Sequence, residues 1–315
     1  MEKRQLGNTD LQVYPIAFGG NVFGWTIDEK KSFEILNGFT NAGFNFIDTA
    51  DVYARWVPGN KGGESETIIG KWLKEKKNRQ DIILTTKVGS DMGEGKTLKK
   101  EYILRAVEAS LKRLQTDYLD LYQTHFDDLS TPVEETLEAY AQLVKEGKIR
   151  WIGASNMSVE RLKESLATSA EKGLPSYETF QPHYNLYERE SYENGLEPVC
   201  QGHSLGVITY YSLESGFLTG KYRTKEDLTK SPRGGGMEKY FNERGMRILE
   251  ALDYVAKEYN TTPAAVSLAW LIQRPSVTAP IVSATSLGQL DSIIQAPELD
   301  LDANSIGLLT ANSAF

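Results

Sequence analysis

FNFIDTADVY, residues 44–53, is a short apolar run that ends in an acid, Asp48, and opens into a loop that reaches Tyr53. The run is too short for a helix, and an amphipathic stretch follows at 64–76, so it reads as a strand feeding a helix. The same unit recurs in both directions along the chain. YPIAF (14–18) precedes a helix at 29–42, and IILTT (82–86) precedes one at 99–115. That helix sets Ile103, Ala106, Val107, Ser110, Leu111 and Leu114 on one face. YLDLYQ (118–123) leads to a helix opened by Thr131-Pro132, and KIRWIG (148–153) to one at 158–171. Residues 178–181, GVITY (206–210) and VTAPI (277–281) are the last three strands, with Thr262-Pro263 opening a helix before the eighth. Eight strands, each followed by a helix or long loop, imply parallel pairing with right-handed crossovers. The expected fold is therefore a single (β/α)8 TIM barrel over residues 1–315. The alternative, an open doubly wound sheet, usually carries a Gly-rich turn after its first strand, and none is present.

Two segments fall outside the repeat. Residues 3–13 read as two short strands around Gly7-Asn8-Thr9-Asp10, a hairpin expected to cap the barrel floor. Residues 214–242 form a long polar loop of the kind that serves as a lid or stays disordered.

Composition narrows the function. The 315 residues are 40% hydrophobic and 25% charged, with a net charge of −8, which disfavours nucleic acid and anionic membranes as partners. The densest basic run, 71–79, reads as the polar end of a helix. A single cysteine, Cys200, permits neither an intramolecular disulfide nor a Cys-based zinc site. The charged start MEKRQLGNTD lacks a signal-peptide core and no run approaches a membrane span, so a cytoplasmic location is expected. Ser90–Thr97 (SDMGEGKT) approaches a phosphate-binding loop but lacks its first glycine. With only His125, His183 and His203, scattered along the chain, no metal site is expected.

Asp48, Tyr53, Lys87 and His125 all lie at or just beyond predicted strand ends. In a closed barrel those ends meet on the face where active sites form. Singly, each has an ordinary structural reading: a cap, a packed ring, an edge charge, a core histidine. Together their chemistry is complementary. An ammonium at Lys87, held by Asp48, lowers the pKa of the Tyr53 phenol, and His125 hydrogen-bonds a carbonyl oxygen beside it. Such a group delivers a proton to a developing alkoxide, and the accompanying hydride requires a nicotinamide cofactor.

With FNFIDTADVY come TTKVG (85–89), DLYQTHFDD (120–128), IRWIGASN (149–156), FQPHYNL (180–186), GFLTGKY (216–222) and IVSATSLGQL (281–290). In this combination and order the chain resembles the aldo-keto reductase family over essentially its whole length. The resemblance implies a (β/α)8 barrel that binds NAD(P)H and reduces aldehydes or ketones, with the catalytic tetrad Asp48, Tyr53, Lys87 and His125. It further implies that Ser155, Asn156 and Gln181 bind the nicotinamide carboxamide. Tyr210 sits where a ring stacks on the nicotinamide, although TYYSL (209–213) leaves the neighbouring Tyr211 as a rival. Leu218, Gly220 and Lys221 resemble the start of a loop that clasps the pyrophosphate, which makes 214–242 a cofactor lid. At the adenosine end, Ser283, Thr285 and Gln289 stand where relatives offer a cation. NADP(H) is expected, with NAD(H) the alternative. Phe23 or Trp25, Trp56 and Phe126 are expected to line an apolar substrate pocket, with 54–63 as one wall. Some relatives of this kind are redox-sensing partner subunits, which supplies a rival of a different class.

Overall fold

The computed structural model describes residues 2–315. Its centre is a closed barrel of eight parallel strands: β3 (Ala17–Gly19), β4 (Phe46–Asp48), β5 (Ile83–Val88), β6 (Leu119–Thr124), β7 (Ile149–Ser155), β8 (Tyr177–Gln181), β9 (Gly206–Thr209) and β10 (Ala279–Val282). β10 closes the ring by pairing with both β9 and β3. The expected eight strands are all present, with no end shifted by more than three residues. Around them run α1 (Glu29–Asn41), α2 (Glu64–Lys76), α3 (Lys100–Leu114), α4 (Val133–Lys145), α5 (Val159–Lys172), α6 (Glu197–Gly202), α7 (Glu243–Glu258), α8 (Pro263–Ile272), α9 (Leu287–Gln295) and α10 (Ala303–Asn312). Local chemistry sets several helix starts. Asp28, Ser158, Asn242, Thr262 and Ser286 each accept a backbone N–H three residues on, which satisfies a donor the first turn would otherwise leave orphaned. In α3, Ile103, Val107, Ser110, Leu111 and Leu114 are buried, as the periodicity requires.

Before the barrel comes the hairpin of β1 (Arg4–Gln5) and β2 (Gln12–Val13). Leu6, Leu11 and Val13 pack against Ala17, Phe46, Ile83, Leu121, Ile208 and Ala279, the inward side chains at the strands' N-terminal ends. Trp151 donates its indole N–H to Asp10 at 2.8 Å. The hairpin thus plugs the barrel floor. Gly7 makes this possible: its φ is +61°, and a Cβ there would lie 2.1 Å from the Glu178 carbonyl.

Side chains alternate along each strand, so one parity faces the interior. Above the floor layer stand Thr85, Gln123, Gly153 and Thr179, and above these, at the C-terminal mouth, stand Asp48, Lys87, His125, Ser155 and Gln181. Among the described residues no helix is long and apolar enough to cross a membrane.

Candidate active site

Lys87 is wholly buried and makes three contacts at the mouth. Its Nζ stands 2.6 Å from Asp48 Oδ2, 2.9 Å from the Thr49 carbonyl and 3.1 Å from the Tyr53 hydroxyl. Asp48 Oδ1 accepts from Gln181 Nε2 at 3.1 Å and Gln123 Nε2 at 3.4 Å. Burial pulls the Lys87 ammonium down, but the Asp48 and Tyr53 oxygens outweigh it, so its pKa lies above the ordinary lysine value. Burial pushes Asp48 up, against Lys87 and the two glutamines. Three donors on its two oxygens suit a carboxylate, so the pair is ionic.

The Tyr53 phenol departs from the sequence expectation. Burial raises its pKa, and the opposing pull of Lys87 does not overcome this. The hydroxyl therefore stays protonated at neutral pH. His125 lies 5.9 Å from Tyr53, ring centre to ring centre. Burial, then Lys87 and Lys96, hold its pKa well below the usual histidine value, so the imidazole is neutral. Its Nδ1 has no hydrogen-bonding partner among the described residues.

A polar rim adjoins this cluster. Asn156, at φ +49°, donates to the His125 carbonyl at 2.9 Å and to Ser155 Oγ at 3.0 Å. Ser155 Oγ donates to the Gln181 carbonyl, and the Tyr210 hydroxyl donates to Asn156 Oδ1 at 3.0 Å. Tyr210 lies with one face on His183, 5.1 Å away, whereas Tyr211 is half-exposed. His183 in turn meets Glu214, a buried carboxylate that also accepts from Asn185 and Tyr240. Burial acts to raise the Glu214 pKa, but these bonds hold it below the usual range. Glu214 thus ties the first and last turns of the 214–242 loop to the rim.

That loop is not the unstructured polar segment its composition suggests. Phe217, Leu218, Tyr222, Met237 and Tyr240 are buried anchors. Leu218 is in the core with its amide bonded to the Leu213 carbonyl, so it offers little to a ligand. Lys221 is half-buried, its Nζ over the Tyr222 ring, and Gly220 adopts φ +75°. Farther round, Ser283 Oγ lies against the Gly19 carbonyl and Asn21 Oδ1, and Thr285 N and Oγ1 both donate to Gln289 Oε1 beside the start of α9. Trp25 meets Trp56 edge-on at 5.5 Å, and Trp56 meets Tyr53 at 6.1 Å, which makes one aromatic wall. Phe126 stacks on His125 at 4.8 Å and makes another. Phe23 is not part of either: it is fully buried and stacked on Phe18 in the core.

Among the described residues no three His, Cys, Asp or Glu side chains stand close enough to hold a metal. Gln123, Asn21, His183 and Glu214 join the site without having been singled out in the sequence. Gln123 was accessible to a period-two argument, since it precedes His125 by two residues on the same inward parity.

The profile of the Aldo/keto reductase family matches residues 15–313. The chain belongs to this family. Among its relatives, the uncharacterized oxidoreductase YrpG of Bacillus subtilis is 35% identical over 98% of this chain and 95% of that protein. The aldo-keto reductase YhdN of the same organism is 34% identical over 93% and 88%. A probable voltage-gated potassium channel subunit beta of Arabidopsis thaliana is 31% identical over 95% and 92%. Membership in the aldo/keto reductases makes this chain an oxidoreductase on a TIM barrel.

Proposed function

We propose that this protein is an NADP(H)-dependent carbonyl reductase in which Tyr53 donates a proton to the oxygen of an aldehyde or ketone. One observation carries the reading: Lys87 Nζ bridges Asp48 at 2.6 Å and the Tyr53 hydroxyl at 3.1 Å, at the barrel mouth and beside a neutral imidazole.

The residues fit a nicotinamide dinucleotide. Ser155, Asn156 and Gln181 suit a carboxamide, and the Tyr210 face not covered by His183 suits a flat ring. Lys221 and Gly220, on a loop closed by the Glu214 bonds, suit a diphosphate. The start of α9 with Thr285, Ser283 and Gln289 suits an anionic adenosine end, since helix N-termini bind phosphate. When bound, the reduced nicotinamide supplies two electrons and one hydrogen to the carbonyl carbon.

The protein's own groups do the rest. His125 and the Tyr53 hydroxyl direct donors at the carbonyl oxygen. As negative charge grows there, the phenol transfers its proton, and the phenolate left behind faces the Lys87 ammonium. In a buried setting that attraction is far stronger than in water. Asp48, held by Gln123 and Gln181, keeps Lys87 charged and fixed. The barrel floor, closed by the hairpin, excludes water from below. A free, buried Cys200 suits a reducing cytoplasm.

Tyr53→Phe tests the reading. Removing a general acid typically costs 10²–10⁴-fold in turnover, so aldehyde-dependent loss of NADPH absorbance should fall by about that factor. Titration of tryptophan fluorescence should show NADPH affinity unchanged and NADH affinity weaker in both proteins. Full turnover by Tyr53→Phe would remove Tyr53 from the role, and equal binding of both nucleotides would remove the NADP(H) preference. The potassium-channel subunit among the relatives favours a second reading, a slow-turnover redox subunit. A cofactor that survives gel filtration, with no aldehyde reduced, would select it.

A further inference from the structure

The aromatic wall beside Tyr53 is assembled from two separate segments. Residues 20–28, after β3, carry Trp25, and residues 49–63, after β4, carry Tyr53 and Trp56. Each segment folds into a compact turn of its own. In the first, the Val22 carbonyl accepts the Trp25, Thr26 and Ile27 amides. In the second, the Ala54 carbonyl accepts the Val57 amide, and the Val57 carbonyl accepts the Asn60 amide. Glu64, at the start of α2, closes this second turn by accepting the Lys61 and Gly62 amides at 2.8 and 3.0 Å.

One side chain joins the two turns. Asn60 Nδ2 donates to the Gly24 carbonyl and to the Ala54 carbonyl, each at 3.0 Å. Gly24 immediately precedes Trp25, and Ala54 immediately follows Tyr53. The junction is tight. Gly24 and Ala54 both adopt φ +72°, and a Cβ on Gly24 would lie 2.9 Å from Glu64 Cβ and 3.8 Å from Ala54 Cβ. Alanine rarely takes a left-handed conformation, so the surrounding bonds hold it there. Two carbonyls facing one nitrogen need two N–H donors on a single atom. A primary amide supplies them, and a carboxylate of the same shape does not. The proton donor has its own support, since Lys87 Nζ holds the Tyr53 hydroxyl and is itself held by Asp48 and the Thr49 carbonyl. What the amide fixes is where Trp25 stands relative to Tyr53.

We infer that Asn60 is a positioning residue: by tying Gly24 to Ala54 it sets the spacing of the Trp25–Trp56 wall from Tyr53, and so determines how well the site accepts carbonyl substrates with a broad, flat body. This rests on the carbonyl-reductase reading, with the carbonyl oxygen at Tyr53 and His125. The body of such a substrate lies between the tryptophan wall and Phe126, which stacks on His125.

The test compares 2-naphthaldehyde, broad enough to meet the wall, with propanal, which is too small to reach across it, both at saturating NADPH. Asn60→Asp keeps the shape, removes both donors and sets a carboxylate against two carbonyls. The kcat/KM ratio of naphthaldehyde to propanal should fall about tenfold or more, the scale of one lost aromatic contact, and the fall should lie in the KM for naphthaldehyde. Gly24→Ala forces the same junction apart from the opposite side and should shift the ratio in the same direction; it carries the test if Asn60→Asp does not fold. The double variant should lose no more than the worse single one, because both act on one junction. An unchanged ratio would overturn the inference. So would a parallel fall in kcat for both aldehydes at a constant ratio, which is what a merely structural role produces. A readout without turnover comes from circular dichroism: the edge-on Trp25–Trp56 pair, 5.5 Å apart, gives an exciton signal that Trp56→Phe removes and Asn60→Asp should weaken. An exciton signal of wild-type strength in Asn60→Asp would also overturn the inference. If the wild type reduces neither aldehyde while Asn60→Asp weakens that signal, the tie stands and the reductase reading falls.

Discussion

Asp48→Asn isolates the charge of the buried pair. Lys87 and Asp48 side chains are 0% and 1% exposed and 2.6 Å apart. Asparagine keeps the shape and removes the charge, leaving an ammonium that burial pulls down with only Tyr53 opposing it. The fold can keep that proton or give it up. Deleting one partner of a buried pair typically costs about 3–5 kcal/mol. Deprotonating a lysine of ordinary pKa at pH 7 costs about 5 kcal/mol, at roughly 1.4 kcal/mol per pH unit. The two limits agree, so Asp48→Asn should lose about 3–5 kcal/mol near neutrality. The sign with pH also follows. In the wild type the folded Lys87 pKa is raised, so its stabilisation is full below the unfolded lysine value and fades only as pH rises through the folded one. In the variant the folded pKa is depressed, the unfolded chain binds the extra proton, and stability rises with pH. The deficit should therefore narrow between pH 7 and 10. Urea unfolding at several pH values, with Lys87→Met and the double variant alongside, reads this out. A further double variant, Asp48→Leu with Lys87→Met, replaces both partners by apolar side chains and should recover most of the stability and none of the turnover. A deficit below about 1 kcal/mol at pH 7, or one that does not narrow, would refute a buried ionic pair.

Three other outcomes follow. Asp51 is buried, no full hydrogen bond to its carboxylate forms among the described residues, and burial, then Glu66, pushes its pKa to about 8. Its folded form holds a proton that the unfolded chain releases, so stability drains as pH rises from about 4 towards 8, by at most about 1.4 kcal/mol per unit. Asp51→Asn should then stabilise the protein progressively across that window; parallel melting curves at pH 5 and pH 8 would count against it. A Cβ at residue 153 would lie 2.1 Å from Thr179 Oγ1 and 3.1 Å from Gln123 Cγ. Gly153→Ala should cost about 1–3 kcal/mol by overpacking and lower turnover by displacing Gln123 from Asp48, and a calorimetric melt unchanged from wild type would show that the layer yields. Because the His125 pKa is held well below its ordinary value and those of Lys87 and Tyr53 above theirs, turnover should be flat through neutral pH. A kcat limb with a midpoint near 6.5 would mean His125 titrates as an ordinary histidine.

The barrel and its four mouth residues were legible because a strand's period of two and its C-terminal end are both written in the sequence. Gln123 follows from the same parity and needed only a step back from His125. Helix α7 went unnamed in the sequence reading, although Ile248, Leu249, Leu252 and Val255 lie at helical spacing behind the Asn242 cap. The 214–242 loop was harder, since its anchors Phe217, Tyr222, Met237 and Tyr240 follow no period and its polar residues dominate the composition. Phe23 and Trp25 show another limit. Both are aromatic and two residues apart, and only the packing of Phe18 decides that Phe23 belongs to the core.

Tyr53 marks where sequence reasoning about charge stops. The sequence names Lys87 as a partner and gives the direction of its pull. It does not give the desolvation that opposes that pull, which depends on every element packed round the hydroxyl. The same desolvation acts on Lys87 and is overcome there, because Asp48 adds a full negative charge at 2.6 Å while Tyr53 has only an ammonium 3.1 Å away that is already shared. The resting arrangement is thus a neutral phenol beside a committed ammonium. A proton donor of this kind keeps its proton until negative charge appears on a neighbouring oxygen, and only then does the Lys87 field favour release. Under the proposed reading, Asp48 does more than hold a lysine in place: by tying up the ammonium in the resting state, it makes proton transfer from Tyr53 depend on the arrival of charge on the substrate.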